Sequence, residues 1–434
     1  MRLELANFPV KDVRLGSKIN YNKGILEVNK EELLALVRED GRVISADLDI
    51  AFPGEKTRIV RIRDVVEPRL KVSGPGCVFP GTMGPVETVG EGRTHRLSGV
   101  TVMPLAEYQP IIPSGTTAQS AGFIDMWGPA AQVTPFASTI NIVLIFKLID
   151  GVSEQDAHAA IQSAEFRVAR RLAETTRRMT SKDVEVFELS KVDSSLPRVI
   201  YILGCLTEAG APVDISYYGL PIREALPTFV HPNEFLDGAL TSDARRATGN
   251  VMSTWEMLNQ PVVLGLFKEH GKRLNFLGVI LQRTRFLTEH GKQVTAACTS
   301  QMARLLGADG VIQTTMTPSG NNYMDIMFTL QDCERKGVKT VLLTPEWGGR
   351  EGTEIPLVFS VPEATAVVST GGMEHVVSVP APAKVIGCAQ GELIRTHPED
   401  PPYSPWSERV MDGWGEVIGG VDWWGRLHYT CKGY

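Results

Sequence analysis

The fold is decided by residues 310–343, which read GVIQTTMTPSGNNYMDIMFTLQDCERKGVKTVLL. An apolar run at Gly310–Thr315 precedes a helical segment from about Asn322 to Lys336, and a second apolar run follows at Lys339–Leu343. Short β-branched runs that alternate with helices are typical of a parallel sheet in an α/β domain. This stretch therefore predicts a Rossmann-like α/β domain.

The same alternation continues on both sides of this stretch. Strands are predicted at Asn275–Leu281, Ala364–Val368 and Val385–Gly387, and a helix runs through Met302–Leu306. Beyond them, residues 398–434 are rich in Trp and Gly and are expected to form a docking tail or terminal strands.

The first 150 residues have a different pattern, mostly strand and turn. Glycine and proline are dense between Gly74 and Gly99, which is typical of tight turns in a barrel-like or sandwich-like β unit. One helix is predicted after Asn29, a residue type that caps helix N-termini well. A second helix is predicted from about Ser153 to Met179, on an apolar stripe.

These patterns predict a mixed α/β protein of three units. Residues 1–150 form the β-rich unit, and residues 151–241 form a connecting α/β unit with strands at Val184–Leu189 and Arg198–Leu206. Residues 242–434 form the Rossmann-like domain with its C-terminal tail. A length of 434 residues fits two or three domains.

Composition excludes several classes of protein. The net charge is −6 and the basic residues are scattered, so no nucleic-acid partner is predicted. The longest apolar run, residues 140–148, is too short to cross a membrane, and the N-terminus lacks a signal pattern, so a cytoplasmic protein is expected. The six cysteines are widely spaced without a C-x-x-C pair, which argues against a disulfide framework and a zinc ribbon.

Ten segments carry a resemblance in their order and spacing. They are Asp49–Glu55, Asp64–Arg69, Gly74–Gly76, Phe79–Gly81, Gly92–His95, Ile124–Pro129, Thr134–Phe136, Pro232–Ala239, Leu306–Val311 and Gly337–Val341. Together they resemble the proprotein of glycine/sarcosine/betaine reductase component B, and the chain is also similar to the D-proline reductase proprotein. The resemblance extends from about residue 1 to residue 390.

The resemblance implies a definite chemistry. The family proprotein is cut at an internal cysteine, which becomes a pyruvoyl group whose ketone forms a Schiff base with the substrate amine. A second reductase subunit then supplies a reactive cysteine or selenocysteine that takes the carbon fragment. Covalent electrophilic catalysis of this kind divides one hard step into two easier ones. A hetero-oligomer is expected on the same ground.

This chain departs from that pattern at the cleavage point. By spacing from Asp237-Gly238-Ala239, Arg245 stands where the family has its cysteine, and no cysteine lies between Cys205 and Cys298. An arginine side chain cannot undergo the acyl shift and elimination that produce a pyruvoyl group. We therefore predict that the pyruvoyl group is absent, and we predict no other cofactor. Ser242 or Thr241 offers a hydroxyl, but neither has the expected spacing.

Two candidate substrate sites follow. Ser242, Arg245 and Arg246 lie at the old cleavage point, and guanidinium groups bind carboxylate, sulfonate or phosphate in a bidentate manner. The alternative is an ordinary surface loop with solvated arginines.

The second candidate lies between the strand and the helix of the opening stretch. Ser319, Gly320, Asn321 and Asn322 precede a helix N-terminus, where backbone N–H groups can hold an anion, and Glu346 follows the next strand, where it could line the same crevice. The alternative is a plain turn.

A metal site is a weaker hypothesis. His231, Glu234 and Asp237 would share one face if they were helical. The family resemblance accounts for Glu234 and Asp237 as loop residues before the cleavage point, so no metal is predicted.

Three functions remain open. The chain is an uncleaved component-B-like reductase subunit that binds a small anionic substrate for reductive C–N or related bond cleavage by a partner's thiol or selenol. Alternatively, it is a repurposed metal-assisted enzyme subunit, or a non-catalytic scaffold of its partner.

Overall fold

The computed structural model describes residues 1–108, 122–207, 215–242, 252–284, 288–316, 320–349, 351, 353–372, 376–395, 401–426 and 430–431. Arg245, Arg246 and Ser319 lie outside the described residues. Among the described helices, none is both long and apolar enough to cross a membrane.

The chain alternates between short strands and a few longer helices. The elements up to residue 206 are β1 (Arg2–Pro9), β2 (Asp12–Leu15), β3 (Asn20–Asn22), β4 (Ile25–Val28), α1 (Lys30–Val37), β5 (Val43–Ala51), β6 (Thr57–Val60), β7 (Arg69–Ser73), β8 (Gly92–Ser98), β9 (Val100–Glu107), β10 (Phe123–Asp125), α2 (Gly128–Ala131), β11 (Ile140–Leu148), α3 (Glu154–Ala173), β12 (Val184–Glu188) and β13 (Arg198–Leu206). The later elements are β14 (Ile215–Tyr217), β15 (Leu220–Pro221), β16 (Thr228–Val230), α4 (Asn233–Leu236), β17 (Leu240–Ser242), α5 (Thr254–Leu258), α6 (Pro261–Glu269), β18 (Asn275–Thr284), α7 (Glu289–Leu305), β19 (Gly310–Thr315), α8 (Gly320–Arg335), β20 (Lys339–Glu346), β21 (Val367–Gly372), β22 (Val376–Val379), β23 (Lys384–Ile386), β24 (Arg409–Asp412) and β25 (Thr430–Cys431).

The largest sheet in the described part of the chain has the order β16-β18-β13-β19-β20-β21-β25. Its five central strands are parallel, and its two edge strands are antiparallel to their neighbours. The predicted α/β class and its parallel sheet are thus confirmed. The strand β13 lies in the interior of the sheet, between β18 and β19, although it precedes both in the chain by about 70 residues or more.

The two faces of β13 follow the alternation of its side chains. Ile200 and Ile202 pack in one buried cluster with residues of α7 and α8, such as Ala303 and Cys333. Tyr201 and Leu203 pack in another cluster, which contains residues of α6. Helices therefore cover both faces of the sheet centre, which explains why β13 is almost entirely apolar and buried.

The N-terminal residues form smaller sheets around α1 and α3. These sheets have the orders β12-β1-β8-β7, β5-β11-β9 and β10-β6-β23. The predicted N-cap is confirmed, since the Asn29 side chain accepts a hydrogen bond from the N–H of Glu32 at 3.0 Å. The predicted apolar stripe of α3 is buried against β7, β8 and β9.

One strand of the predicted alternation belongs elsewhere. The segment predicted as Val385–Gly387 forms β23, which pairs in parallel with β6 of the N-terminal part rather than with the large sheet. Val385 packs in a buried cluster with Val60 and Phe123, and this long-range burial decides its sheet. The boundaries of the three predicted units stay a prediction, although β13 and β18, from either side of residue 242, share one sheet.

The described residues of the C-terminal tail pack onto the body of the protein. The strand β24 pairs with β22, and β25 pairs with β21 at the edge of the large sheet. Trp423 and Trp424 are buried in the cluster that contains Tyr201 and Leu343. The predicted terminal strands are therefore present.

Candidate functional site

Ser242 is fixed at the end of β17, where the described chain stops before residue 243. Its strand pairs with β14. The backbone N–H of Ser242 donates to Oγ1 of Thr254 at 3.0 Å, and its carbonyl accepts from Nε2 of Gln162 on α3 at 2.9 Å. Since Ser242 is also buried, both backbone groups of this residue are held within the protein.

Thr254 fixes the chain again on the other side of residues 243–251. It begins α5, behind a capping box formed by Ser253 and Glu256. Its N–H donates to Oδ1 of Asp64 at 2.8 Å, and its hydroxyl donates to Oδ2 of Asp64 at 2.5 Å. The Thr254 hydroxyl also accepts from the N–H of Ser242. The segment that ends at Ser242 and the segment that begins α5 therefore meet next to Asp64.

Asp64 is paired with a second buried acid. The carboxyl groups of Asp64 and Glu165 are hydrogen-bonded to each other, and both residues are buried, with Glu165 1% exposed. Burial raises the pKa of Asp64. Burial, followed by the charge of Asp64, raises the pKa of Glu165 well above its usual range. Both shifts favour the protonated acid, which makes the pair a candidate for acid–base work.

Asp64 and Glu165 were not among the predicted site residues, although a feature of the sequence points to each of them. Asp64 opens the segment Asp64–Arg69 that carries part of the family resemblance. Glu165 lies within the apolar stripe of α3, between Ala164 and Val168, where a charged side chain must face the interior. A buried charge in an otherwise apolar stripe has to be paired or neutralised.

The second candidate site lies at the carboxyl edge of the parallel sheet. Three parallel strands carry a buried threonine at or next to the carboxyl end, Thr207, Thr284 and Thr315, and β20 and β21 carry a buried hydroxyl residue two or three positions before theirs, Thr344 and Ser369. Ligands of open α/β sheets usually bind in the crevice at this edge. The repeated threonines at the ends of the apolar runs are a signal that sequence reasoning missed.

Helix α8 begins at this edge and presents the predicted residues there. Lys292 of α7 donates to Oδ2 of Asp325 at 2.5 Å and to the carbonyl of Asn321 at 2.6 Å, and both charged groups are buried. Asn322 is 8% exposed, and its Oδ1 atom has no hydrogen-bond partner among the described residues. Glu346 ends β20 at the same edge and is buried. Gly320, Asn321, Asn322 and Glu346 are therefore brought to one edge of the sheet.

The two candidate sites are joined through one buried cluster. Met252, the first described residue after 251, belongs to the same apolar cluster as Met316 at the end of β19. Trp423 of the C-terminal tail belongs to it as well. One apolar cluster thus extends from the residues next to Thr254 to the carboxyl end of β19, whereas Arg245, Arg246 and Ser319 lie outside the described residues.

The three weak metal candidates have separate partners. Glu234 accepts from the hydroxyls of Tyr217 and Tyr218 at 2.7 and 2.9 Å, and Asp237 forms an ion pair with Lys71. Burial lowers the pKa of His231 to about 4. Among the described residues, no three His, Cys, Asp or Glu side chains are grouped so that they could hold a metal ion. These residues instead stabilise the turn before β17.

Comparison with known proteins gives consistent matches along the chain. Residues 1–396 match the profile of a family described as glycine/sarcosine/betaine reductase component B subunits. The chain is 35% identical to the glycine reductase complex component B subunits alpha and beta of Acetoanaerobium sticklandii, over 91% of this chain and 90% of that protein. It is 36% identical to the sarcosine reductase complex component B subunit alpha of Peptoclostridium acidaminophilum, over 89% of each chain. No solved structure is significantly similar to it.

Proposed function

Since the chain belongs to the family of glycine/sarcosine/betaine reductase component B subunits, we propose that it binds the substrate of a component-B-like reductase complex without a pyruvoyl group of its own. One observation carries the proposal. The resemblance implies that Arg245 stands at the spacing of the family's cleavage cysteine, and the chain matches the family over residues 1–396.

The chemistry of the remaining side chains supports the absence of a pyruvoyl group. A pyruvoyl group forms from a serine or cysteine whose side chain can leave, and the chain has no cysteine between Cys205 and Cys298. Ser242 carries a hydroxyl, but its N–H and carbonyl are both engaged, with Thr254 and Gln162. Without a ketone the substrate need not offer an amine for a Schiff base.

The residues at the old cleavage point suggest an anionic substrate. Arg245 and Arg246 place two fixed positive charges between Ser242 and Thr254, which are themselves held to Asp64. Two guanidinium groups suit a carboxylate, sulfonate or phosphate. The chain then binds and orients the substrate, and Gly320, Asn321, Asn322 and Glu346 at the sheet edge are a second place for substrate contacts.

The proposed reaction also needs a partner subunit, which supplies the nucleophile. The relatives are named as components of glycine, sarcosine and betaine reductase complexes, so this chain is expected in a hetero-oligomer as well. In that assembly the partner's thiol or selenol supplies the nucleophile for reductive C–N or related bond cleavage. The cysteines Cys205, Cys333 and Cys388 are buried here, and burial raises the pKa of Cys333 and of Cys388 to about 12, which makes both poor nucleophiles.

The arginine pair can be tested by ligand binding. Glycine, sarcosine, betaine, methanesulfonate and inorganic phosphate are titrated into the purified full chain by calorimetry. In the double variant R245A/R246A, the affinity for the anion that binds best is expected to fall by about tenfold or more, since bonds to charged groups contribute about 1.5–3 kcal/mol each.

The double variant R177A/R178A is the matched control, because it removes a different pair of adjacent arginines, which lies after α3 and is exposed. Its affinity for the same anion is expected to equal that of the unaltered chain. Unchanged affinity in R245A/R246A would contradict the proposed site.

A further inference from the structure

The acid pair of Asp64 and Glu165 joins two elements that are far apart in the chain. Asp64 follows β6, and Glu165 lies in the middle of α3. Oδ1 of Asp64 accepts from the N–H groups of Val65 and Thr254, and Oδ2 accepts from the Thr254 hydroxyl. Oε2 of Glu165, in contrast, has no hydrogen-bond partner among the described residues.

The charged groups around the pair do not neutralise it. Arg63 neighbours Asp64, but its guanidinium donates to the carbonyl of Ala106 and lies 5.5 Å from the ring of Tyr108. Arg426 faces Glu256 of α5 at 3.8 Å, and Glu256 adds a further carboxyl group to this region. In the described part of the chain, no cation therefore contacts the two hydrogen-bonded carboxyl groups.

Two buried carboxylates in contact cannot both be ionised without a cation, because their repulsion in a low-dielectric interior is large. We propose that Asp64 and Glu165 share one proton at neutral pH, and that this proton lets them act as positioning residues for Ser242 and Thr254. The proton lies on Glu165 and is donated to Asp64, since the three donors around Asp64 stabilise its charge and no donor in the described part of the chain reaches Oε2 of Glu165.

The proton has a structural consequence for the proposed substrate site. With it, Asp64 accepts from Glu165 and from Thr254 together, so the segments at Ser242 and α5 are held side by side. Without it, two adjacent negative charges would push Asp64 away from α3 and weaken its hold on Thr254. This inference rests on the contacts of the pair and does not depend on which substrate the chain binds.

The test compares the pH dependence of stability in the full chain. In the variant Glu165→Gln, a neutral amide of the same shape keeps a donor toward Asp64 and cannot titrate. In the folded chain Glu165 keeps a proton that the unfolded chain releases above the ordinary glutamate pKa of 4.5. The folded state therefore loses stability as the pH rises above that value. Relative to Glu165→Gln, the unfolding equilibrium constant of the unaltered chain should therefore rise with pH, by up to about tenfold per pH unit.

Urea unfolding between pH 5 and pH 9 measures this difference, and Glu154→Gln on the same helix is the control. The control is expected to follow the unaltered chain in parallel. At pH 5, Glu165→Gln should be close to the unaltered chain in stability, whereas Glu165→Ala should be less stable. Parallel pH curves for Glu165→Gln and the unaltered chain would overturn the shared proton.

A second measurement detects the proton itself, and the unaltered chain alone can contradict it. At neutral pH the infrared spectrum of the unaltered chain should contain the carbonyl stretch of a protonated carboxylic acid. The intensity of that band should be unchanged in Glu154→Gln and reduced in Glu165→Gln. Its absence from the unaltered chain would also overturn the inference. Loss of anion binding in R245A/R246A would leave both outcomes unchanged, so the two proposals can fail separately.

Discussion

Thr254 shows how much depends on one hydroxyl group. It donates to Oδ2 of Asp64 and accepts from the N–H of Ser242, so a single side chain joins three segments of the chain. Thr254 and Ser242 are also buried. Removing the hydroxyl would leave a buried N–H without an acceptor and a buried carboxylate without one donor.

Thr254→Val is expected to lower the free energy of unfolding by about 1–3 kcal/mol, because the methyl group replaces the hydroxyl without changing the shape of the side chain. Urea denaturation monitored by circular dichroism measures the change. Thr228→Val is the control, since the Thr228 hydroxyl donates only to the carbonyl of Leu226 at an exposed position. The control should change stability by no more than about 0.5 kcal/mol. Equal effects of the two variants would show that the Thr254 contacts contribute nothing specific.

At the scale of elements, the approach of α8 to the large sheet depends on Gly204 in β13. A Cβ atom on Gly204 would lie 2.4 Å from Cδ1 of Ile326 on α8 and 2.8 Å from the carbonyl oxygen of Thr314 on β19. Both distances are shorter than van der Waals contact, so any larger residue must displace the Ile326 side chain of α8 and the backbone of β19. Because α8 begins at the carboxyl edge, this packing also sets the position of Asn321 and Asn322.

Gly204→Ala is expected to destabilise the protein by about 1–3 kcal/mol through overpacking. Thermal and urea unfolding measure the loss. Gly265→Ala in α6 is the matched control, because a Cβ atom there would meet nothing within 4 Å. Alanine also suits a helix better than glycine, so the control should be neutral or more stable by up to about 1 kcal/mol. A stable Gly204→Ala variant would mean that α8 has room to shift.

At the scale of the whole molecule, distant parts of the chain are joined by buried polar contacts. Arg58 is 1% exposed and donates to both carboxylate oxygens of Asp125, at 2.7 and 2.8 Å. It also donates to the carbonyls of Pro380, Pro405 and Ser407. A buried arginine with all of these acceptors ties the C-terminal segments to the N-terminal β-rich part.

The proposal of an uncleaved subunit predicts one polypeptide in a larger complex. Intact-mass measurement of protein purified from its native source should give a single chain near 47.5 kDa. Co-purification should bring down a second subunit with a reactive cysteine or selenocysteine. Two fragments of about half the length would contradict the absence of cleavage. A protein that purifies without a partner but with a stoichiometric metal would favour the metal-assisted alternative.

The local elements were largely predictable because they depend on short-range periodicity. The N-cap at Asn29, the apolar stripe of α3, and the strand–helix–strand pattern of residues 310–343 are each encoded within a few turns of chain. The order of the family segments likewise depends on the sequence alone, and it identified the family that the comparisons show.

The tertiary structure alone decided which distant segments meet. The interior position of β13, the pairing of β23 with β6, and the contact of Asp64 with Thr254, 190 residues later in the chain, leave no periodic trace in the sequence. Such contacts arise because buried polar and apolar groups must find partners wherever packing brings them. The sequence by itself therefore determined the elements and the family, and it predicts the departure at Arg245. Packing decided that Asp64 and Glu165 are buried together next to the segments of Ser242 and Thr254.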